Sequence, residues 1–412
     1  IYRALVAALP ADQSLEQMPE RCAAARAVLA QLLAGLDQLS AARNRVSIDA
    51  SQIDEARTWC RTFDEKLALA QASAQDLLSG LQEIDQLAET YFHEMDFGFL
   101  FDSQRQVFHI GYNVTVGKLD NNFYDLLASE ARIASLVALA KHEVPRSHWL
   151  HLSRPLTRVD GTRALLSWSA TMFEYLMPNL FMRSYQGTLL HESALAAVDL
   201  QIAYGRRKGV PWGISESGFY AFDPSMNYQY RAFGVPGLGF KRNLAEDLVI
   251  APYASLLALP FQPQAVAENL AHLTQVGALG VYGLYEAVDY TPTRLPLGQE
   301  RALVQEYMAH HQGMILVALA NYLSALPVGR DGLMIQRFHA DAHVKSVELL
   351  LQERVPTDVP LAFPQLDELA PIQRSLPPVI ALPWAAPATG APAPHVHYLS
   401  NGHYSLLITA SG

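Results

Sequence analysis

Three glutamates stand in surroundings that are typical of sites that process sugars. Such sites need two facing carboxyl groups, aromatic rings that stack on sugars and polar side chains that bind hydroxyls. The first is Glu130, in NNFYDLLASEARIASLVALAKHEV, which a helical pattern places on the same stripe as Leu126 and Leu127. A carboxylate on an apolar stripe is costly unless it is paired or lines a polar cavity. Glu130 is therefore either a site residue or half of a structural salt bridge, for example with Arg154.

The second candidate is Glu216, in RKGVPWGISESGFYAFD. Three glycines and a proline permit an irregular backbone here, and Trp212, Phe219 and Tyr220 surround a single carboxylate. This pattern predicts a sugar site with an acid whose pKa is tuned by its surroundings. The alternative is a solvated loop glutamate.

The third candidate is Glu286, in GVYGLYEAVDYTPTR. Its neighbours Tyr285, Tyr290 and Arg294 combine rings with groups that bind hydroxyls, which favours a place in the same site. The alternative is again a structural role.

A histidine pair follows in EYMAHHQGM. His310 and His311 are adjacent on a predicted helix, so their side chains point about 100° apart and cannot share a metal as an i, i+4 pair would. Glu306 lies one turn before His310, but one such pair is a weak metal signal. We expect His310, His311 and Gln312 to contact sugar hydroxyls, and we expect no metal or other cofactor.

The composition excludes several classes of protein. Thirty basic and 40 acidic residues give a formal charge of −10, which argues against nucleic acid as the main partner. No apolar run reaches the roughly 18 residues that a membrane span needs, so we expect a soluble fragment without a membrane span. Cys22 and Cys60 sit in helical patterns and are predicted to be buried thiols. The start and end of the sequence resemble cuts from a longer protein.

The elements that must position these residues are mainly helical. From Ser14 to about Phe92 the pattern predicts a helical hairpin, and residues 1–90 form an N-terminal helical segment. Between Tyr91 and Glu353 predicted helices alternate with aromatic, glycine- and proline-rich loops, which favours a solenoid or a toroid of helix pairs. These helices are predicted at 122–143, 170–182, 186–206, 243–259, 264–277, 299–325 and 336–353. One clear strand pair is predicted, in FLFDSQRQVFHIGYN.

The composition changes after Val355. Residues 356–394 hold ten of the 24 prolines, so residues 356–395 are predicted to be an extended linker. Beyond it, HYLSNGHYSLLITA alternates around Asn401-Gly402, which predicts a β-hairpin at the start of a truncated β-domain over 396–412.

Taken together, an ordered set of segments between Tyr91 and Tyr322 resembles the glucoamylase-like cyclisation domain of bacterial cyclic β-1,2-glucan synthases. Each segment is weak alone, but the ordered set is specific and covers more than half of the chain. The segments are FLFDSQRQVFHIGYN, FYDLLASEARIAS, HWLHLSR, LLSWSATMFEYLMPNL, GVPWGISESGFYAFD, NYQYRAFGVPGLGFKR, DLVIAPYAS, GVYGLYEAVDYTPTRLP and YMAHHQGM.

The resemblance implies an (α/α)6 barrel over residues 91–355 and a retaining transglycosylase that closes linear β-1,2-glucan into rings. Carried onto this sequence, it implies Glu216 as nucleophile and Glu130 as acid/base, with Glu286 in reserve. The substrate-binding residues it implies are Asp96, Trp212, Tyr230, Arg231, Tyr285, Tyr290, Arg294, His310, His311 and Gln312.

The resemblance also implies partners and a location. In such synthases a glycosyltransferase region lies upstream and a phosphorylase-like domain downstream, in a membrane protein whose catalytic parts face the cytoplasm of the bacterium. Two alternatives to cyclisation stay open at this point. One is an endo-β-1,2-glucanase on the same fold, with water as the acceptor, and the other is a non-catalytic module that binds the glucan.

Overall fold

The computed structural model describes residues 2–41, 50–159, 161–326, 330–363, 396–400 and 405–409. The chain divides into two compact units, Ile1–Asp96 and Phe97–Gly412. The first unit is almost entirely helical, and the second combines helices with short strands and irregular segments; about half of the described residues are helical, as the mainly α prediction requires.

The first unit is built from two long helices, α2 and α3, preceded by a short helix, α1. The helices are α1 Tyr2–Ala8, α2 Met18–Ala41 and α3 Ala50–Glu94. Their shared core buries Leu29 and Leu67 together with Cys22 and Cys60, which are both free thiols. An ion pair of 2.9 Å between Arg26 and Asp64 links α2 to α3 across the edge of this core.

The described part of the second unit contains nine α-helices of 5 to 20 residues. They are α4 Arg132–Ala140, α5 Ser147–His151, α6 Met172–Leu176, α7 Leu189–Lys208, α8 Pro252–Leu257, α9 Pro263–Gln275, α10 Ala309–Ser324, α11 Leu333–Ala340 and α12 Ala342–Val347. Single 3-10 turns lie at Gly98–Leu100, Met177–Leu180, Leu244–Glu246 and Glu348–Gln352. The longest helix of this unit, α7, is capped by Thr188 at its start and by Gly209 at its end, where a φ of 69° favours glycine.

Short strands are more numerous than the single pair predicted before the linker. They are β1 Phe101–Asp102, β2 Val107–His109, β3 Tyr112–Asn113, β4 Lys118–Leu119, β5 Phe123–Tyr124, β6 Leu156–Val159, β7 Thr162–Leu165, β8 Ser217–Phe222, β9 Tyr228–Arg231, β10 Val249–Ile250, β11 Leu279–Gly280, β12 Gly283–Leu284, β13 Ala287–Asp289, β14 Ala302–Val304, β15 Val396–Ser400 and β16 Ser405–Thr409. Two three-stranded sheets have the orders β1-β2-β5 and β10-β13-β14, and the rest are hairpins. The predicted pair is present, with Phe101 opposite Phe108.

Three predicted helices are partly wrong for one reason. The segments 122–143, 243–259 and 299–325 each begin with a strand, β5, β10 or β14 respectively, before their helix starts. Strand β5 pairs with β2, while β10 and β14 flank β13 on either side. Pairing with distant strands therefore overrides the local helical pattern, since strand preference depends mainly on the neighbours that a strand meets.

The predicted linker begins as a segment that is held against the second unit. Arg163 donates to the carbonyl of Pro356 at 2.6 Å, and Leu361 bridges Leu156. From residue 364 to 395 the linker lies outside the described residues. Beyond it, β15 and β16 pair antiparallel as predicted, while the turn at Asn401-Gly402 also lies outside the described residues.

Candidate active site

A close approach of two elements brings Glu286 beside the strand that follows Glu216. The backbone N–H of Gly218 in β8 donates to Oε1 of Glu286, with 3.0 Å between the nitrogen and the oxygen. A Cβ at position 218 would lie 2.9 Å from Oε2 of Glu306 and 3.2 Å from Cγ of Glu286. A side chain at this position would therefore push the two carboxyl groups away.

Glu216 directly precedes β8, and its backbone carbonyl is held by a hydrogen bond. The hydroxyl of the buried Tyr253 donates to its carbonyl oxygen at 3.0 Å and lies 2.9 Å from Oγ of Ser215. Burial raises the pKa of the Glu216 carboxyl to about 7, and the negative charges of Glu130 and Glu174 add to the effect. The positive charge of Lys241 opposes it. Near neutral pH this carboxyl can therefore both give and take a proton.

Glu130 lies in the turn before α4, so the predicted position on a helical stripe is wrong. Helix α4 begins only at Arg132. The Glu130 carboxylate accepts a hydrogen bond from Oγ of Ser129 at 3.2 Å, and the hydroxyl of Tyr124 lies close enough to feel its charge. Burial, followed by the charges of Glu130 and Glu216, raises the pKa of Tyr124 to about 12, so this hydroxyl stays a donor. The proposed alternative partner, Arg154, instead pairs with Glu353 at 2.8 Å.

The buried guanidinium of Arg132 lies near Glu130. Arg132 is 2% exposed and donates to the carbonyl oxygens of Ser129, Glu174 and Tyr175 at 2.9, 2.6 and 2.6 Å. Burial lowers its pKa to about 10, while the negative charge of Glu130 acts in the opposite direction. The guanidinium remains charged at neutral pH, so it places a positive charge near Glu130.

Glu174 is a further carboxylate near the site, and sequence reasoning missed it. It is buried, and it accepts hydrogen bonds from Ser167 Oγ at 2.9 Å, Ser169 N at 3.0 Å and Thr171 N at 2.8 Å. Burial raises its pKa, although the hydrogen bonds from Thr171 and Ser169 oppose the shift. With Thr171 it forms a capping box at the start of α6. The pattern Thr-x-x-Glu was the available signal.

His311 is the partner of Glu286. Its Nδ1 lies 2.9 Å from both carboxylate oxygens, and each side chain is 1% exposed. The imidazole stacks on Tyr253 with 3.8 Å between the ring centroids and 12° between the planes. Its Nε2 lies 3.5 Å from the hydroxyl of Tyr230. The neighbouring His310 is exposed, with its ring centroid 6.3 Å from that of Tyr230.

The two predicted arginines are held in ion pairs. Arg294 pairs with Asp289 at 2.7 Å and also with Asp247, and Arg231 pairs with the same Asp247. Both guanidinium groups also lie over the ring of Phe219, at 5.0 Å for Arg294 and 5.2 Å for Arg231. These contacts give both arginines a structural role that the sequence did not reveal.

The remaining predicted residues lie in several places. Trp212 is buried in the hydrophobic core rather than presented as a platform for a sugar. The ring of Tyr285 packs on Tyr307 at 5.4 Å, and Gln312 donates to the carbonyl of Leu284 at 3.1 Å.

Tyr290 and Asp96 were also predicted to bind the substrate. The hydroxyl of Tyr290 is buried without a hydrogen-bond partner, and burial raises its pKa to about 12. Asp96 is exposed and belongs to the first unit. We do not carry either residue into the proposed site.

The described ranges contain no candidate metal site and no candidate membrane-spanning helix. No group of three or more His, Cys, Asp or Glu side chains there is placed to hold a metal ion. Among the helices of the same ranges, none is long and apolar enough to cross a membrane.

Comparison with known proteins defines the class. Residues 122–328 match the family called Glycoamylase, which is described as "Putative glucoamylase". This match covers half of the chain and includes Glu130, Glu174, Glu216 and Glu286. The chain therefore belongs to this glucoamylase-like family, whose name marks it as a family of carbohydrate-active enzymes.

One known protein is similar to most of this chain. The chain is 43% identical over 381 residues to the protein named "Cyclic beta-(1,2)-glucan synthase NdvB" of Rhizobium meliloti (strain 1021). The match covers 88% of this chain but only 13% of the relative. The resemblance that the sequence motifs indicate, to the glucoamylase-like domain of such synthases, is confirmed.

Proposed function

We propose that this chain is a retaining transglycosylase that cleaves linear β-1,2-glucan and joins the new end to the other end of the same molecule. The similarity to a cyclic β-1,2-glucan synthase supports the substrate. The observation that carries the chemistry is the pair of glutamates: burial raises the pKa of Glu216 to about 7, while Glu130 accepts a hydrogen bond from Ser129 and lies near the charge of Arg132. Retaining enzymes need one carboxyl group of each kind.

The surroundings of the two glutamates favour the reverse of the roles expected from the resemblance. Glu130 accepts a hydrogen bond from Ser129 and lies near the hydroxyl of Tyr124 and the positive charge of Arg132, which suits a nucleophile. Glu216 is buried among negative charges, which suits a carboxyl group that holds a proton at rest.

The proposed reaction has two steps. The Glu130 carboxylate attacks the anomeric carbon while the proton of Glu216 passes to the departing glycosidic oxygen, which leaves a glycosyl-enzyme and an ionised Glu216. Glu216 then takes the proton of the incoming 2-hydroxyl at the non-reducing end. That oxygen displaces Glu130, and the new bond has the original β configuration.

The proposal also includes the arrangement of the helices and the neighbouring domains. We infer that the helices of the second unit are arranged as the (α/α)6 barrel implied by the resemblance. The chain would work beside the glycosyltransferase and phosphorylase-like domains of a longer, membrane-associated synthase. The relative's greater length supports further domains of this kind.

Product analysis tests the activity. With linear β-1,2-glucan as substrate, we expect cyclic products without a reducing end from the wild type and from Glu300→Gln, which changes an exposed glutamate outside the pair. Glu130→Gln and Glu216→Gln should each lose at least ~10³-fold in turnover. Linear reducing products would indicate the hydrolase instead. Near-normal turnover in both variants would refute the catalytic pair.

Two further measurements assign the roles. If Glu216 is the acid, kcat/KM falls as pH rises through about 7, whereas it would rise there if Glu216 were the nucleophile. With an activated aryl β-1,2-glucooligosaccharide and azide, Glu130→Ala should yield an α-glycosyl azide and Glu216→Ala a β-glycosyl azide. The opposite stereochemistry would restore Glu216 as nucleophile.

A further inference from the structure

Two separate sets of contacts converge on the four residues from Ser215 to Gly218. On one side, Oε1 of Glu286 accepts the N–H of Gly218 at 3.0 Å. On the other, the hydroxyl of Tyr253 holds the carbonyl oxygen of Glu216 at 3.0 Å and lies 2.9 Å from Oγ of Ser215. The backbone that carries Glu216 is therefore held at its own carbonyl oxygen and at the N–H of Gly218.

One side chain joins the two sets of contacts. His311 holds the Glu286 carboxylate through Nδ1, and the face of its ring lies on Tyr253 at 3.8 Å. A carboxylate accepts hydrogen bonds only, so Nδ1 must carry a proton when it meets Glu286. Glu286 thereby fixes the tautomer of His311, and a neutral imidazole presents a bare Nε2 toward the hydroxyl of Tyr230.

The burial of this pair explains why it can act as a rigid support. Glu286 and His311 are 2% and 1% exposed. Glu286 directly precedes β13 and His311 lies in α10, and both elements are distant in sequence from β8. An ion pair or hydrogen bond that is shielded from water keeps one geometry, and removal of one partner leaves the other unpaired. A carboxyl group used for attack would instead have to be open to the sugar.

We propose that Glu286 and His311 are positioning residues that fix the orientation of Glu216 through Gly218 and Tyr253. This inference rests on the proposed function, because it assigns the support of a group which that proposal makes catalytic. It replaces the reserve catalytic role of Glu286 and the sugar-binding role of His311 that the sequence suggested.

The test compares Glu286→Gln with Glu306→Gln. Both variants remove a negative charge next to Gly218, but only Glu286 bonds to the Gly218 N–H and to His311. We expect Glu286→Gln to lower kcat by ~10²-fold with KM within about threefold, because a misplaced catalytic group slows the reaction without weakening binding. Glu306→Gln should stay within about threefold of the wild type in both constants.

Nitrogen-15 spectra of labelled histidine supply a readout that does not depend on activity. With His311→Asn used to assign the signal, Nδ1 should carry the proton in the wild type and in Glu306→Gln. In Glu286→Gln the proton should move to Nε2, or the two forms should mix. An unchanged His311 signal in a folded Glu286→Gln protein would overturn the inference.

A second variant covers the case in which Glu286→Gln does not fold. Tyr253→Phe keeps the ring under His311 and removes only the hydroxyl that holds Glu216, so kcat should fall by ~10-fold at unchanged KM. Wild-type kcat in this variant would refute the positioning route.

Complete loss of turnover in Glu286→Gln, with rescue by azide, would make Glu286 itself catalytic. If Glu216→Gln were fully active, the proposed function would fail, while the histidine spectra would still report the contact between Glu286 and His311.

Discussion

Replacement of Glu216 by glutamine should make the protein more stable above neutral pH. Burial and two neighbouring negative charges raise the pKa of this carboxyl from 4.5 to about 7. The folded protein therefore holds a proton over a pH range in which the unfolded chain has released it. Stability must fall as pH rises through this range, because the folded state binds more protons there than the unfolded state.

The size of the effect follows from the two pKa values. A difference between 4.5 and about 7 corresponds to about 3 kcal/mol of unfolding free energy. The cost is absent below pH 4.5, grows between 4.5 and 7, and is constant above 7. Since a glutamine of the same shape carries no charge, Glu216→Gln should be more stable by up to about 3 kcal/mol at pH 8. It should be nearly equal to the wild type at pH 4.5.

Urea unfolding at pH 4.5, 6 and 8 measures this difference, followed by tryptophan fluorescence and far-ultraviolet circular dichroism. Glu300→Gln is the matched control, because that glutamate is exposed, and it should show no difference that depends on pH. A constant difference between Glu216→Gln and wild type at all three pH values would refute the reasoning. Destabilisation that grows with pH would mean that the carboxylate is favoured in the folded protein.

Three other predictions concern Tyr124, Arg132 and the need for a metal ion. Tyr124→Phe should lower kcat by ~10-fold without unfolding the protein, because Glu130 loses the neighbouring hydroxyl; unchanged kinetics would contradict a role for this hydroxyl. Arg132→Lys should cost ~2–4 kcal/mol in urea unfolding, since one ammonium cannot reach all three carbonyls, while the exposed Arg330→Lys should change stability by less than ~0.5 kcal/mol. A chelator should leave turnover unchanged, and loss of activity that one divalent ion restores would show a metal requirement.

The sequence predicted the helical nature of the chain and the segments that carry the glutamates. Helix α7 and helix α9 were predicted within a few residues because their apolar pattern and their end signals agree. Glu216 and Glu286 could be chosen because each stands in a segment that contains aromatic residues and glycines. The sequence could not show that Glu286 contacts Gly218, two residues after Glu216, since that contact joins residues 68 positions apart.

Other parts of the candidate site were hidden for identifiable reasons. Glu130 was assigned to a helical stripe because the apolar spacing continues through the segment. In the structure the strand β5 and the turn that carries Glu130 replace the first turns of that helix, which begins only at Arg132. Tyr253 stands in an apolar run, DLVIAPYAS, and only its tertiary position reveals its contact with Glu216. Trp212 looked like a sugar platform, yet its ring fills the core.

The hydrogen bonds to Glu174 have a consequence for the local dynamics of the segment 167–171. The amide groups of Ser169 and Thr171 belong to no helix or strand, so they would be expected to exchange with solvent deuterium quickly. Because a buried carboxylate accepts both, these two amides should exchange about as slowly as those of the neighbouring helices. The segment then moves with the rigid part of the fold, although it contains no regular secondary structure of its own.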